Sequence, residues 1–160
     1  MSGGIDTTKL ARAREEGEIY YKSIGKVHCP YFGTEVAFNA LGLEHLKFKD
    51  KRHSRSARDQ YIRFRLIKLA PEILKLSRTL QGISHRKNME KRKIRGKWQT
   101  VMCHVTYYEF IAVMKEKTRV RVIVKQVDDG PKYFWSIIPF WKMDKFTGGK
   151  LVHNGKPEHD

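Results

Sequence analysis

The chain has 160 residues and 40% hydrophobic content, enough for one domain with one modest core. A net charge of +16, from 33 Lys and Arg against 17 Asp and Glu, opposes compaction and implies an acidic partner. Two cysteines, Cys29 and Cys103, do not make a secreted disulfide framework, and no apolar run suits a signal peptide or membrane span, so a cytoplasmic protein without a membrane partner is expected.

The charge is concentrated. Residues 1–50 balance seven basic against seven acidic side chains, residues 51–100 carry 16 against 3, and residues 101–160 carry 10 against 7. A polyanion such as RNA or DNA is therefore expected to meet the middle of the chain.

Residues 1–18 have mixed charge and few large apolar side chains, which predicts a flexible arm, helical or not, frayed or loosely docked ahead of a single domain at 19–143. Gly25–Cys29 and Thr34–Phe38 flank a Pro-Tyr-Phe-Gly turn and read as a β-hairpin. From Ser54 to Leu69, Tyr61, Ile62, Leu66 and Leu69 recur at helical spacing, with Arg55, Arg58, Arg63 and Arg65 filling the outer face. Pro71 interrupts that helix, and Glu72–Leu80 resumes it. The run at 85–97 holds seven Lys and Arg with one Glu and no apolar pattern, and is expected to be an exposed basic insertion, either a mobile loop or a long hairpin arm. Thr100–Met114, Thr118–Val127 and Lys132–Phe140 are rich in branched and aromatic residues and joined by short connections, as in an antiparallel meander. The polar tail at 144–160 is expected to be disordered. The predicted class is α+β, with helices packed on one face of a four- to five-stranded antiparallel sheet.

Four positions invite chemistry. His45 lies at a junction between hairpin and basic helix, where an imidazole suits proton transfer near neutral pH. Arg119 and Arg121 alternate with Val120 and Val122, so they project from one face of a strand, and guanidiniums there suit phosphate oxygens. Strict alternation places Ser136 with Phe134 and Ile138, where a hydroxyl needs a partner. For stacking unpaired bases, Trp98 and one of Tyr107 and Tyr108 are the aromatics expected at the surface. His28-Cys29 and Cys103-His104 lack zinc-site spacing, and no phosphate-binding glycine loop or G-x-S-x-G elbow occurs, so neither metal nor cofactor is expected.

Taken together, Gly33–Phe38, Gly42–Leu46, the helix ending at Leu66–Leu74, the strand Val120–Val124 and Tyr133–Pro139 resemble, in order and local motif, the phage-borne branch of the Barnase/EndoU/colicin/RelE-like (BECR-fold) nuclease superfamily. The resemblance implies a metal-independent endoribonuclease of toxin or mobile-element type, cleaving tRNA or mRNA by 2′-hydroxyl attack, with an acidic antitoxin or immunity protein as a partner. It also implies a site built from His45, Arg65 or Arg63, Arg121 or Arg119, and Ser136. The insertion at 85–97 departs from the family's compact pattern. Arg55, Arg58, Arg63, Arg86, Lys87, Lys91, Arg92, Lys93, Arg95, Lys97, Trp98 and Arg119 are expected to hold nucleic acid. Two readings compete with the enzyme: a non-catalytic DNA- or RNA-binding protein of a mobile element, and an adaptor for an acidic protein.

Overall fold

A computed structural model of the chain describes residues 6–115, 119–139 and 157–160. Helix α1 spans Thr7–Ile24, capped by the Asp6 carboxylate on the Thr8 amide. Strands β1 (Lys26–Cys29) and β2 (Thr34–Ala37) form the expected hairpin, followed by α2 (Ala40–Lys47) with Asn39 capping the Gly42 amide. Helix α3 (Ala57–Leu66) starts at the Ser56 cap and runs through a 3-10 turn at Ile67–Leu69 into α4 (Ala70–Leu76). Four strands complete the chain's described core: β3 (Gly82–Ile94), β4 (Lys97–Val113), β5 (Arg119–Val127) and β6 (Lys132–Pro139).

The strands form one six-stranded sheet in the order β1-β2-β6-β5-β4-β3, antiparallel except for the parallel contact of Ala37 with Tyr133. This confirms the α+β class and adds a strand to the expected range. The helices cover one face: Tyr21, Leu46, Phe64, Ile73 and Leu74 pack on Val36, Phe110, Val120, Val122, Val124, Phe134 and Ile137. A smaller apolar patch of Cys103, Val105, Tyr107 and Ile123 occupies the opposite face. The two cysteines are free, buried, and divided between those two clusters. Among the described residues, no helix is long and apolar enough to cross a membrane.

Three expectations change, and one open alternative, loop or hairpin arm at 85–97, is decided. Residues 7–18 are helical and docked, since α1 packs along α3 and buries Ala13, Gly17 and Tyr21. The basic run at 85–97 is the end of a β-hairpin, its chain reversal made by Arg95 and Gly96 at φ 51° and 80°. Positive φ at both central residues suits the twist of a two-residue hairpin loop, and glycine adopts it without strain. β6 does not alternate strictly: Ile123 pairs with Ser136 but Val124 pairs with Phe134, leaving Trp135 as an extra residue. That bulge turns Ser136 away from Phe134 to the face carrying Ile123. Lastly, the expected tail disorder falls outside the described residues at 144–156, whereas Pro157 and Asp160 are buried.

α2 lies against β6, and the approach is close enough that a Cβ on Gly42 would meet the Phe134 carbonyl oxygen at 2.3 Å and the Tyr21 hydroxyl at 2.5 Å. Gly42→Ala must push the helix off the strand, and about 1–3 kcal/mol of stability is expected to be lost in urea unfolding. An unchanged urea midpoint would show that the gap accepts a methyl group.

Candidate functional site

α2 brings His45 to β6, where its imidazole stacks on the Trp135 indole with ring centroids 3.8 Å apart and planes 18° from parallel. Arg55, in the segment entering α3, clamps the same histidine: Nε donates to the His45 carbonyl at 2.8 Å and Nη2 to its Nε2 at 2.8 Å. An arginine only donates, so His45 Nε2 is the acceptor and its proton sits on Nδ1. Two helical turns further along, Arg63 is fully buried and donates to the Ser136 hydroxyl. Asp59 lies four residues from each arginine, 3.4 Å from Arg55 and 2.6 Å from Arg63, and balances both.

β5 supplies two more cations from the same sheet face as Ser136. Arg121 lies 3.6 Å from Glu109, and Lys125 lies 2.8 Å from Glu90 and 4.0 Å from the centre of the Trp135 ring. The Lys125 pair also reports on shape. Lys125 is in register with Tyr107 and, one strand further, with Ser84, while Glu90 lies six residues beyond Ser84. In a flat sheet that is about 20 Å along the strand. The β3-β4 hairpin therefore coils across this face. Between it and α2 opens a cleft of about 470 Å³, with Phe48 and Lys51 on one wall, Glu90 on the other, and Lys125, Tyr133 and Trp135 at its base.

Burial governs the electrostatics. His45 is pushed well below the usual imidazole value, first by desolvation and then by Arg55, Arg63 and Lys125, while a hydrogen bond with the Asp160 backbone pulls the other way. Its ring is therefore neutral at neutral pH. Desolvation also lowers Arg63 and Lys125, partly offset by Asp59 and Glu90 respectively.

Against the expected site, the structure brings His45, Arg121 and Ser136 together with Arg63. Arg65 is exposed on α3 and does not join them, because a two-residue step along a helix turns a side chain by roughly 200°. Arg55 enters the cluster as a buried residue, while Arg58 and Arg119 are exposed and outside it. The other basic candidates divide along the hairpin. Arg86 pairs with Glu158 at 3.9 Å, and Arg92 with Asp128 at 2.5 Å. Lys87, Lys91 and Lys93 project from the other face with Met89, Met102 and Trp98, which is 71% exposed. Arg95 and Lys97 are exposed at the tip. Tyr107 is buried and Tyr108 half-buried, so of the expected surface aromatics Trp98 is the exposed one.

No protein-family model, curated protein or solved structure matches the chain.

The sequence reading missed Asp59, Lys125, Trp135 and Asp160 as members of the site. Asp59 had a signal, since its four-residue spacing to both Arg55 and Arg63 marks one helix face. Lys125 shared the alternation that singled out Arg121. Nothing local marks Asp160, whose contacts lie 24 to 115 residues away.

Proposed function

We propose that the protein is a metal-independent endoribonuclease that cleaves RNA by attack of its own 2′-hydroxyl on the adjacent phosphate. The observation that carries this reading is the convergence of Arg63 and the Ser136 hydroxyl, both 0% exposed, on one acceptor oxygen beside His45 and Arg121. Preorganised donors in a dry site stabilise charge as it develops on a phosphorane oxygen. In this mechanism Arg63 and Arg121 hold the phosphate, Ser136 orients it, Arg55 gives up His45 Nε2 for the entering phosphate, and the freed Nε2 takes the 2′-hydroxyl proton while water protonates the leaving 5′-oxygen. A phosphate anion opposes the three cations that depress His45, raising the imidazole toward the range where it accepts a proton effectively. Products carry a 2′,3′-cyclic phosphate and a 5′-hydroxyl.

The coiled hairpin supplies the grip. Beyond Val105, β4 pairs with β3 and no longer with β5, so the basic end is a two-stranded ribbon, and one face of it carries Lys87, Lys91, Lys93 and Trp98 without a carboxylate. Changing the three lysines to glutamine is expected to flatten the dependence of RNA affinity on salt by roughly one logarithmic unit per lysine while cleavage at saturating RNA persists. An unchanged slope would remove the ribbon from the interface.

A second reading, RNA or DNA binding without turnover, is favoured by the occupation of His45 Nε2 by Arg55. Incubation of purified protein with total RNA in EDTA, followed by mapping of new ends, separates the two. Cyclic phosphate ends support the nuclease; intact, bound RNA supports the binder.

A further inference from the structure

The acceptor oxygen on which the buried donors converge belongs to the chain itself. Residues 157–160 cross the face opposite the helices and fasten to it along their length. The Trp135 indole donates to the Pro157 carbonyl at 3.1 Å, and Glu158 pairs with Arg86 at 3.9 Å. The Asp160 main-chain oxygen accepts from Arg63 at 2.5 Å, Ser136 at 2.5 Å and Arg55 at 3.4 Å. Its carboxylate lies 4.0 Å from Arg121, and the residue is 2% exposed.

Guanidinium and hydroxyl donors bind anionic oxygens about twice as strongly as neutral ones, so a cluster of two guanidiniums and a hydroxyl is suited to an anion. The donor set also exceeds its occupant. Arg63 Nη2 is buried and has no hydrogen-bond partner among the described residues. A phosphate presents several oxygens in a tetrahedron and engages that spare donor together with Nη1. The acidic side chains of Glu158 and Asp160 lend the segment the negative charge the surface favours, as a nucleic-acid backbone would.

We propose that Pro157–Asp160 is a built-in phosphate mimic that fills the phosphate position of this site, so that the segment and a substrate phosphate exclude each other. The identity of that substrate as RNA rests on the nuclease reading; the exclusion itself does not. The segment is thus a competitive cap, and the full chain is the less active form. Its release exposes Arg55, Arg63 and Ser136 to an entering anion.

The test uses inorganic phosphate as the probe and calorimetry as the readout, comparing the full chain with a variant lacking residues 157–160. The expected result is phosphate binding at least about tenfold tighter in the shortened variant, equivalent to about 1.4 kcal/mol. Equal affinity, or weaker binding by the shortened chain, overturns the proposal, the latter by making the segment a completing part of the pocket. Should the shortened chain fail to fold, a nitroxide on His159→Cys in the full-length protein gives the same answer, since Cys29 and Cys103 are buried. Saturating phosphate must then mobilise the label, and an unchanged spectrum sinks the idea. Tighter phosphate binding without RNA cleavage would defeat the nuclease reading and leave the cap standing.

Discussion

His45→Gln is expected to lower RNA cleavage by about 10²- to 10⁴-fold, the usual contribution of a positioned acid or base. Glutamine keeps an acceptor for Arg55 and a planar group against Trp135, so the fold should survive. The same variant reports on pH. The unfolded chain protonates this histidine near the ordinary value of about 6.5. In the folded protein, burial among Arg55, Arg63, Lys125 and Trp135 holds it well below that, despite the opposing hydrogen bond from Asp160. Below pH about 6.5 the unfolded state therefore binds the extra proton, and the stability attached to a neutral His45 is lost as pH falls toward the folded value. The slope is at most about 1.4 kcal/mol per pH unit. Urea unfolding at pH 7, 6 and 5 should show the wild type losing stability faster than His45→Gln. Parallel losses would mean that the ring is not held neutral.

Asp59→Asn is expected to cost about 3 kcal/mol, because it withdraws the nearest carboxylate from two buried guanidiniums at once. The side chain keeps its shape, so the loss reports charge and not packing. Urea unfolding at neutral pH measures it, and a loss below about 0.5 kcal/mol, the range of exposed pairs, would show that solvent already screens the cluster.

Much of the fold was legible because its elements obey a period. The Gly25–Phe38 hairpin, the helix through Arg63 and the three long strands have apolar residues at the spacing their geometry demands. α1 escaped because the residues it buries include Ala13 and Gly17, which leave no large apolar stripe. α2 spans eight residues, too few for a period to stand out. In the site, parity was the hard part. Choosing Arg65 over Arg63 depends on which side of a helix faces β6, and the true side of Ser136 depends on one unpaired residue in a strand. Both are set by tertiary contacts. Asp160 lies at the far end of that scale, being joined to Arg55 across 105 positions.

The extra residue at Trp135 has a wider consequence. Straighten the strand while keeping it, and every side chain after it in β6 exchanges sides, so that Ser136 would sit among the apolar groups beneath the helices and Ile137 would take its place beside the cations. Deletion of the Trp135 codon would instead close the bulge with Phe134 and Ser136 still on opposite faces, keeping the polar pocket's parity while removing the ring that stacks on His45. Descent can therefore shorten this strand at the bulge without sending the side chains beyond it to the wrong face of the sheet.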